Sequence, residues 1–276
     1  MRHGIALVRY IFLAAALLFF LFPIYWMASL AFRSSEELRS ALSFLPQGIT
    51  FAHFTELFAK NNFGNALVNS LKVAAASVGI SMALGLTSAY GLSKARFRFA
   101  LKGPTLLVSF LVRILPPIAF AVPLYIVMNS MKLLNSHVPV TTAHILLNLP
   151  FVMWLMIGFY KNVPREMDES AKVDGAGEWT IFYKIFLPMV LPGIGAAAIF
   201  SFLTSWNEYL FSVIFVQSPA YFTAPVSLSV MNSEQELTQW GSVAAGGLLS
   251  MVPAVLFVVF AQKLLIQGLT SGSVKE

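Results

Sequence analysis

Six stretches of the chain, at about 10–32, 66–92, 104–128, 138–160, 189–216 and 241–266, each hold about 20 or more mostly apolar residues. Nothing else constrains the fold as strongly. At about 1.5 Å per residue, such a run covers the ~30 Å hydrocarbon core of a bilayer. In that medium every backbone N–H and C=O must be satisfied internally, which leaves helices or a closed barrel. Runs this long and continuous predict helices. The expected fold is therefore all-α, a polytopic membrane protein with six transmembrane helices. Composition agrees, since 58% of the residues are hydrophobic and 11% charged, against about 45–50% and about 25% in a soluble domain.

The net charge of +6 does not indicate nucleic acid, because the basic residues lie in short runs beside apolar segments; membrane lipid is the partner expected for them. Absence of cysteine excludes disulfides, thiolate nucleophiles and cysteine metal sites. His3, His53, His137 and His144 lack ligand-like spacing, so they read as isolated loop or span residues and no metal site is expected.

The first run is longer than a signal-peptide core and carries Phe22-Pro23-Ile24-Tyr25-Trp26 before its end, so it reads as a retained span. Arg2 and Arg9 precede it, and Lys94, Arg96, Arg98 and Lys102 follow the second run without an acidic neighbour. The loop 217–240 holds Glu234 and Glu236 but no Lys or Arg. Because positive flanks stay inside, both termini are expected in the cytoplasm. Residues 33–65, with Pro46-Gln47-Gly48 as a turn, predict a modest external loop with an interfacial helix. No soluble domain and no internal repeat are evident, so 1–276 reads as one membrane domain.

The densest charged segment lies between the fourth and fifth runs, within 161–188. It reads Pro164-Arg165-Glu166-Met167-Asp168-Glu169-Ser170-Ala171-Lys172-Val173-Asp174-Gly175-Ala176. Pro164 suits a first helical turn, Glu166, Asp168 and Glu169 suit a helix N-terminus, and Gly175 can end the helix in a left-handed conformation. A second short helix, about Glu178 to Phe186, leads into Pro188. The expected product is a bent, water-facing elbow that a soluble partner grips. No segment supplies a glycine-rich phosphate cradle, so any ATP is bound by another polypeptide. Nor is there a His-Glu-x-x-His or Gly-x-Ser-x-Gly site for a hydrolase.

Glu169-Ser170-Ala171, Asp174-Gly175-Ala176 and Ile185-Phe186-Leu187-Pro188 with Pro192 resemble the permease signature of bacterial ABC importers, with Ser170 standing where an alanine is usual. Asn69-Ser70, Leu115-Pro116-Pro117, Trp206-Asn207-Glu208-Tyr209 and the ending Gly268 to Lys275 are similar to the carbohydrate-uptake branch, close to the shorter permease of maltose-type systems. The resemblance implies a type I importer permease fold in the bacterial inner membrane, and alternating-access transport of a sugar or sugar derivative. It implies that 161–188 is a cytoplasmic coupling loop, with Glu169, Ser170, Ala171, Asp174, Gly175 and Ala176 at the ATPase contact. It implies three partners as well: a second homologous permease, a cytoplasmic ATPase dimer and an extracytoplasmic sugar-binding protein. The chain itself would be no enzyme and would hold no cofactor; ATP and Mg would sit on the partner ATPase. The alternatives are a permease for another solute, such as a glycerol phosphoester, and an ATPase-independent carrier or channel, which should carry more charges within its spans.

For the elbow helix, the expectation is that Ser170 and Ala171 present small side chains to the partner. Trp206, Asn207 and Glu208 lie about 14–16 residues past Pro192, roughly 24 Å along the helix at Glu208. An ionisable residue there faces the bundle interior and marks a site. Aromatic faces, amides and carboxylates suit sugar hydroxyls, but the same group could order the spans by packing. Arg113 and Asn148 complete the expected pathway residues. Arg113 either bonds carbonyls freed by Pro116 and Pro117 or an acidic partner, or it binds an anionic group on the substrate.

Overall fold

The computed structural model describes residues 2–40, 43–93, 99–233 and 239–271. Lys94, Arg96, Arg98, Glu234 and Glu236, and the last five residues of the tail, lie outside them. Every regular element among the described residues is helical. In chain order these are α1 (Arg2–Phe32), α2 (Ser35–Arg39), α3 (Ala52–Ala59), α4 (Phe63–Ser93), α5 (Phe99–Ile114), α6 (Ile118–Ser130) and α7 (His137–Lys161). They continue with α8 (Arg165–Val173), α9 (Glu178–Ile181), a π turn (Phe182–Phe186), α10 (Leu187–Met189), α11 (Leu191–Trp206), α12 (Leu210–Phe215), a 3-10 turn (Pro219–Tyr221), α13 (Ala224–Ser233) and α14 (Gln239–Ser271).

Among the described residues, four helices are long and apolar enough to cross a bilayer: Val8–Phe32, Phe63–Ser93, His137–Lys161 and Trp240–Phe260. Two bent pairs bring the number up to six if each is one span. The first, Lys102–Ile114 with Ile118–Ser130, turns through 106°. Its break falls on Leu115-Pro116-Pro117, where two residues have no N–H to continue the ladder. The second pair, Glu178–Met189 with Leu191–Trp206, turns through 77°.

Three expectations need correction. The fifth run is not one helix over 189–216: it stops at Trp206 and restarts at Leu210. The segment 217–240 is not simply a loop, since it contains the 3-10 turn and the ten-residue α13. Pro164 stands just before α8, as its N-cap residue, with an extended ψ of 135°.

The chain forms two compact units, Met1–Ala66 with Val226–Pro253, and Leu67–Pro225 with Ala254–Glu276. In the first, the end of α1 is organised by Arg33, which is fully buried. Its guanidinium bonds Ser29 Oγ at 3.0 Å and the Ser43 carbonyl, pairs with Glu37 at 3.4 Å and lies 5.6 Å from the Trp26 ring centre. Its carbonyl bonds His53 Nε2 at 2.9 Å. A buried cation is expensive unless paired and hydrogen-bonded, and this one has both kinds of partner.

Gly241, at the start of α14, lies against the His53 ring, so close that a Cβ there would fall 2.2 Å from Nε2. The bond to Arg33 prevents the ring from yielding freely. Gly241→Ala should therefore lower stability by about 1–3 kcal/mol, the usual range for overpacking. Thermal unfolding in detergent, followed by intrinsic fluorescence, measures it; an unchanged midpoint would mean that the ring relocates without loss.

In the second unit α7 is the central element. Val152, Met153, Met156, Ile157 and Tyr160 join Tyr90 of α4 and Ile181, Phe182 and Phe186 of the elbow in one buried cluster. A second cluster joins Val73, Ala121, Val140 and Ala143 to Phe211 and Phe215 of α12.

Candidate functional site

The elbow is built from its cap. Gly175 has φ +78°, the left-handed conformation that a side chain disfavours. Around it the Ala176 N–H donates to the Ala171 carbonyl at 2.9 Å and the Gly175 N–H to Lys172 at 3.0 Å. This pair of bonds is the Schellman closure, and the apolar contact that accompanies it joins the residues at its two ends. Here those ends are Ala171 and Ala176, which both pack against the chain's own core cluster. The i, i+5 closure turns Ala171 partly inward, where it is half-buried. Glu169, Ser170, Asp174 and Gly175 remain exposed.

Ion pairs fix the elbow's angle. Lys172 bonds Asp168 within α8 at 2.8 Å and reaches Glu178 of α9 at 3.3 Å. The Tyr90 hydroxyl of α4 donates to Glu178 Oε2 at 3.2 Å. Tyr90 also packs its ring on Phe182 and Phe186, with centres 4.9 Å and 5.0 Å away. The π turn lets both phenylalanines face inward, its i→i+5 bond running from the Leu187 N–H to the Phe182 carbonyl. A displacement of α8 therefore acts on α4 through a short chain of contacts.

The pathway residues expected from sequence separate into buried and exposed groups. Asn148 is buried and donates to Ser205 Oγ at 2.8 Å, which lies 3.0 Å from Ser77 Oγ, so that one polar ladder joins α4, α7 and α11. Trp206 is buried, stacked on Phe202 with ring centres 5.6 Å apart. Asn207 is exposed, and its amide donates to the Leu203 carbonyl at 2.9 Å.

Glu208 occupies the break between α11 and α12 and has its oxygens filled from within the chain. The Phe211 N–H donates to Oε1 at 2.8 Å, and the Ser212 N–H and hydroxyl each approach Oε2 at 3.2 Å. His144 Nε2 lies 3.0 Å from Oε2, with side chains only 1% and 8% exposed for His144 and Glu208. The carboxylate thus caps α12 and ties it to α7, which favours the ordering role over a sugar contact. His144 is not an isolated span histidine, as its spacing suggested. No local pattern announces the pair, since its members are 64 residues apart.

Arg113 is exposed, with its guanidinium carbon 5.2 Å from the Phe151 ring centre. Among the described residues it has neither a hydrogen bond nor an ion pair, so the expected bond to proline-freed carbonyls or an acidic partner is not formed within them.

These features define an all-helical membrane protein with broken spans and a capped elbow. Residues 81–271 match the family "Binding-protein-dependent transport system inner membrane component", and the chain belongs to it. It is 36% identical over 260 residues to the "Probable ABC transporter permease protein y4oR" of Sinorhizobium fredii, covering 93% of this chain and 91% of that one. A trehalose transport system permease protein of Mycobacterium tuberculosis is 28% identical, over 92% of each chain. The crystal structure of a bacterial ABC transporter involved in import of the acidic polysaccharide alginate is similar in fold, with TM-score 0.80, 19% identity and coverage of 95% and 96%.

Proposed function

We propose that this chain is the membrane permease subunit of an importer for a sugar or sugar derivative, driven by a separate cytoplasmic ATPase that binds ATP and Mg. The observation that carries this reading is the elbow, where a Schellman-closed helix leaves Glu169, Ser170, Asp174 and Gly175 exposed while the Lys172–Glu178 ion pair and the Tyr90 hydrogen bond to Glu178 brace it against α4. The whole chain serves as one membrane domain with both termini in the cytoplasm. A second related permease completes the pathway, and an extracytoplasmic binding protein delivers the cargo. ATPase closure draws the two elbows together, and the spans rock between inward and outward openings. The sugar assignment draws on the trehalose relative.

The test is reconstitution with the second permease, ATPase and binding protein in vesicles. Sugar should stimulate ATP hydrolysis only with the binding protein present, and uptake should stop without ATP. Uptake driven by an ion gradient alone would overturn the proposal. Arg113 adds a second readout. If the cargo is anionic, Arg113→Gln should raise its half-saturating concentration at least about tenfold, since a charge-assisted bond contributes ~1.5–3 kcal/mol. A neutral analogue should be unaffected.

A further inference from the structure

We propose that α4 is a rigid rod joining the segment 215–224 to the elbow, with Asn69 and Tyr90 as the positioning residues at its two ends. This rests on the permease reading, which puts the elbow in the cytoplasm and 215–224 on the opposite side. A sugar-loaded binding protein outside then stimulates ATP hydrolysis inside by way of α4.

Segment 215–224 is held to the spans by buried side chains. Asn69 spends both amide N–H groups on it, donating to the Ala220 carbonyl at 2.9 Å and to the Phe222 carbonyl at 3.1 Å. Its neighbour Ser70 accepts at Oγ the N–H of Ala224, the first residue of α13, at 2.8 Å. From the other side Asn135, just before α7, accepts the N–H groups of Gln217 and Ser218 at 3.2 Å and 2.8 Å and donates its own to the Phe215 carbonyl at 2.9 Å. The segment therefore moves as a block with this end of α4.

Tyr90 marks the other end, bonded to Glu178 and packed on Phe182, Phe186 and Tyr160. From Asn69 to Tyr90 runs one continuous helix, roughly 31 Å long. Stiffness singles it out. Of the four unbroken apolar helices among the described residues, the other three carry Pro23, Pro150 and Pro253, each a gap in the hydrogen-bond ladder, whereas α4 carries no proline. The two bent pairs turn through 106° and 77° and transmit no axial push. Helix α7 also guides α4 sideways, because at Gly85 the Val152 side chain comes so near that a Cβ would fall 2.6 Å from its Cγ1. Coupling between distant sites travels through such packed, rigid elements.

The experiment uses the complete transporter in vesicles and reads the stimulation ratio, ATP hydrolysis with sugar-loaded binding protein over hydrolysis without it. Tyr90→Phe keeps the ring and its packing but drops the bond to Glu178; Asn69→Ala drops the grip on residues 220 and 222. Each should lower the ratio at least about fivefold, the low end for coupling between sites. The two positions are too far apart to share a partner, so unrelated structural losses would multiply to about 25-fold. Cuts in one route do not multiply, and the double variant should match the worse single one. Multiplied losses, or an unchanged ratio in either single variant, would overturn the proposal. A second measurement leaves both contacts intact, so it stands even if Asn69→Ala assembles poorly. The chain has no cysteine, and spin labels at Lys72→Cys and Gln217→Cys report by dipolar broadening whether rod and segment move together. Their separation should be the same without nucleotide and with ATP trapped; a change would overturn the rod. A wild-type complex whose ATP hydrolysis ignores the binding protein would instead overturn the permease reading itself.

Discussion

Gly175→Val is expected to uncouple uptake from ATP hydrolysis, if α8 is the docking helix proposed above, while leaving the spans folded. At φ +78° a β-branched side chain meets its own backbone, a strain of about 1–2 kcal/mol or more. No atom lies within 4 Å of where a Cβ would stand, so the effect comes from backbone conformation rather than collision. Relief requires rotation out of the left-handed region, which opens the bonds from Ala176 to Ala171 and from Gly175 to Lys172. Helix α8 then loses its stop and its angle to α9. Gly175→Asn should be milder, because asparagine tolerates the left-handed region, and Asp174→Ala milder still. Co-purification of the ATPase, uptake and ATP hydrolysis in vesicles provide the measurement. Full coupling in Gly175→Val would show that α8 is not the docking surface.

Removing Glu208 has the second large effect, and it falls on folding before transport. Glu208→Ala leaves His144 and the N–H groups of Phe211 and Ser212 without their acceptor at the break between α11 and α12. Leaving a buried donor without its acceptor costs about 1–3 kcal/mol per group. The expected result is a lower unfolding midpoint in detergent and less assembled complex. Glu208→Gln keeps one acceptor and should lose less. Asn207→Ala, at an exposed position, should assemble normally. A Glu208→Ala protein of full stability that fails only in uptake would restore this carboxylate to the substrate pathway.

The apolar runs and the elbow were legible because their signals are local. Length against bilayer thickness, a proline pair, and a glycine placed just beyond a charged helix can each be read within one segment. The breaks were harder. Trp206 to Tyr209 is compatible with a continuous helix, and only the carboxylate of Glu208 returning to the N–H groups ahead of it accounts for the stop there. Partnerships across the sequence gave no signal at all. His144 with Glu208, Asn148 with Ser205, and Arg33 with the Ser43 carbonyl depend on how the helices meet. The half-burial of Ala171 was not legible either, since it follows from an i, i+5 bond that rotates the third-last residue of α8 toward the core.

The π turn at Phe182–Phe186 sets the azimuth of α10 and α11. Its wider ring holds one residue more than an α turn would, and each residue of an α-helix advances the facing direction by about 100°. The same residues wound as a regular α-helix would therefore swing the faces of α10 and α11 by about that angle relative to the elbow, whereas deleting one residue while regularising the turn would keep them. In the first case the buried small residues Gly193, Gly195 and Ala197 would turn away from the neighbours they now pack against. The distance in residues between the elbow and the span is thus a phase setting that the π turn absorbs.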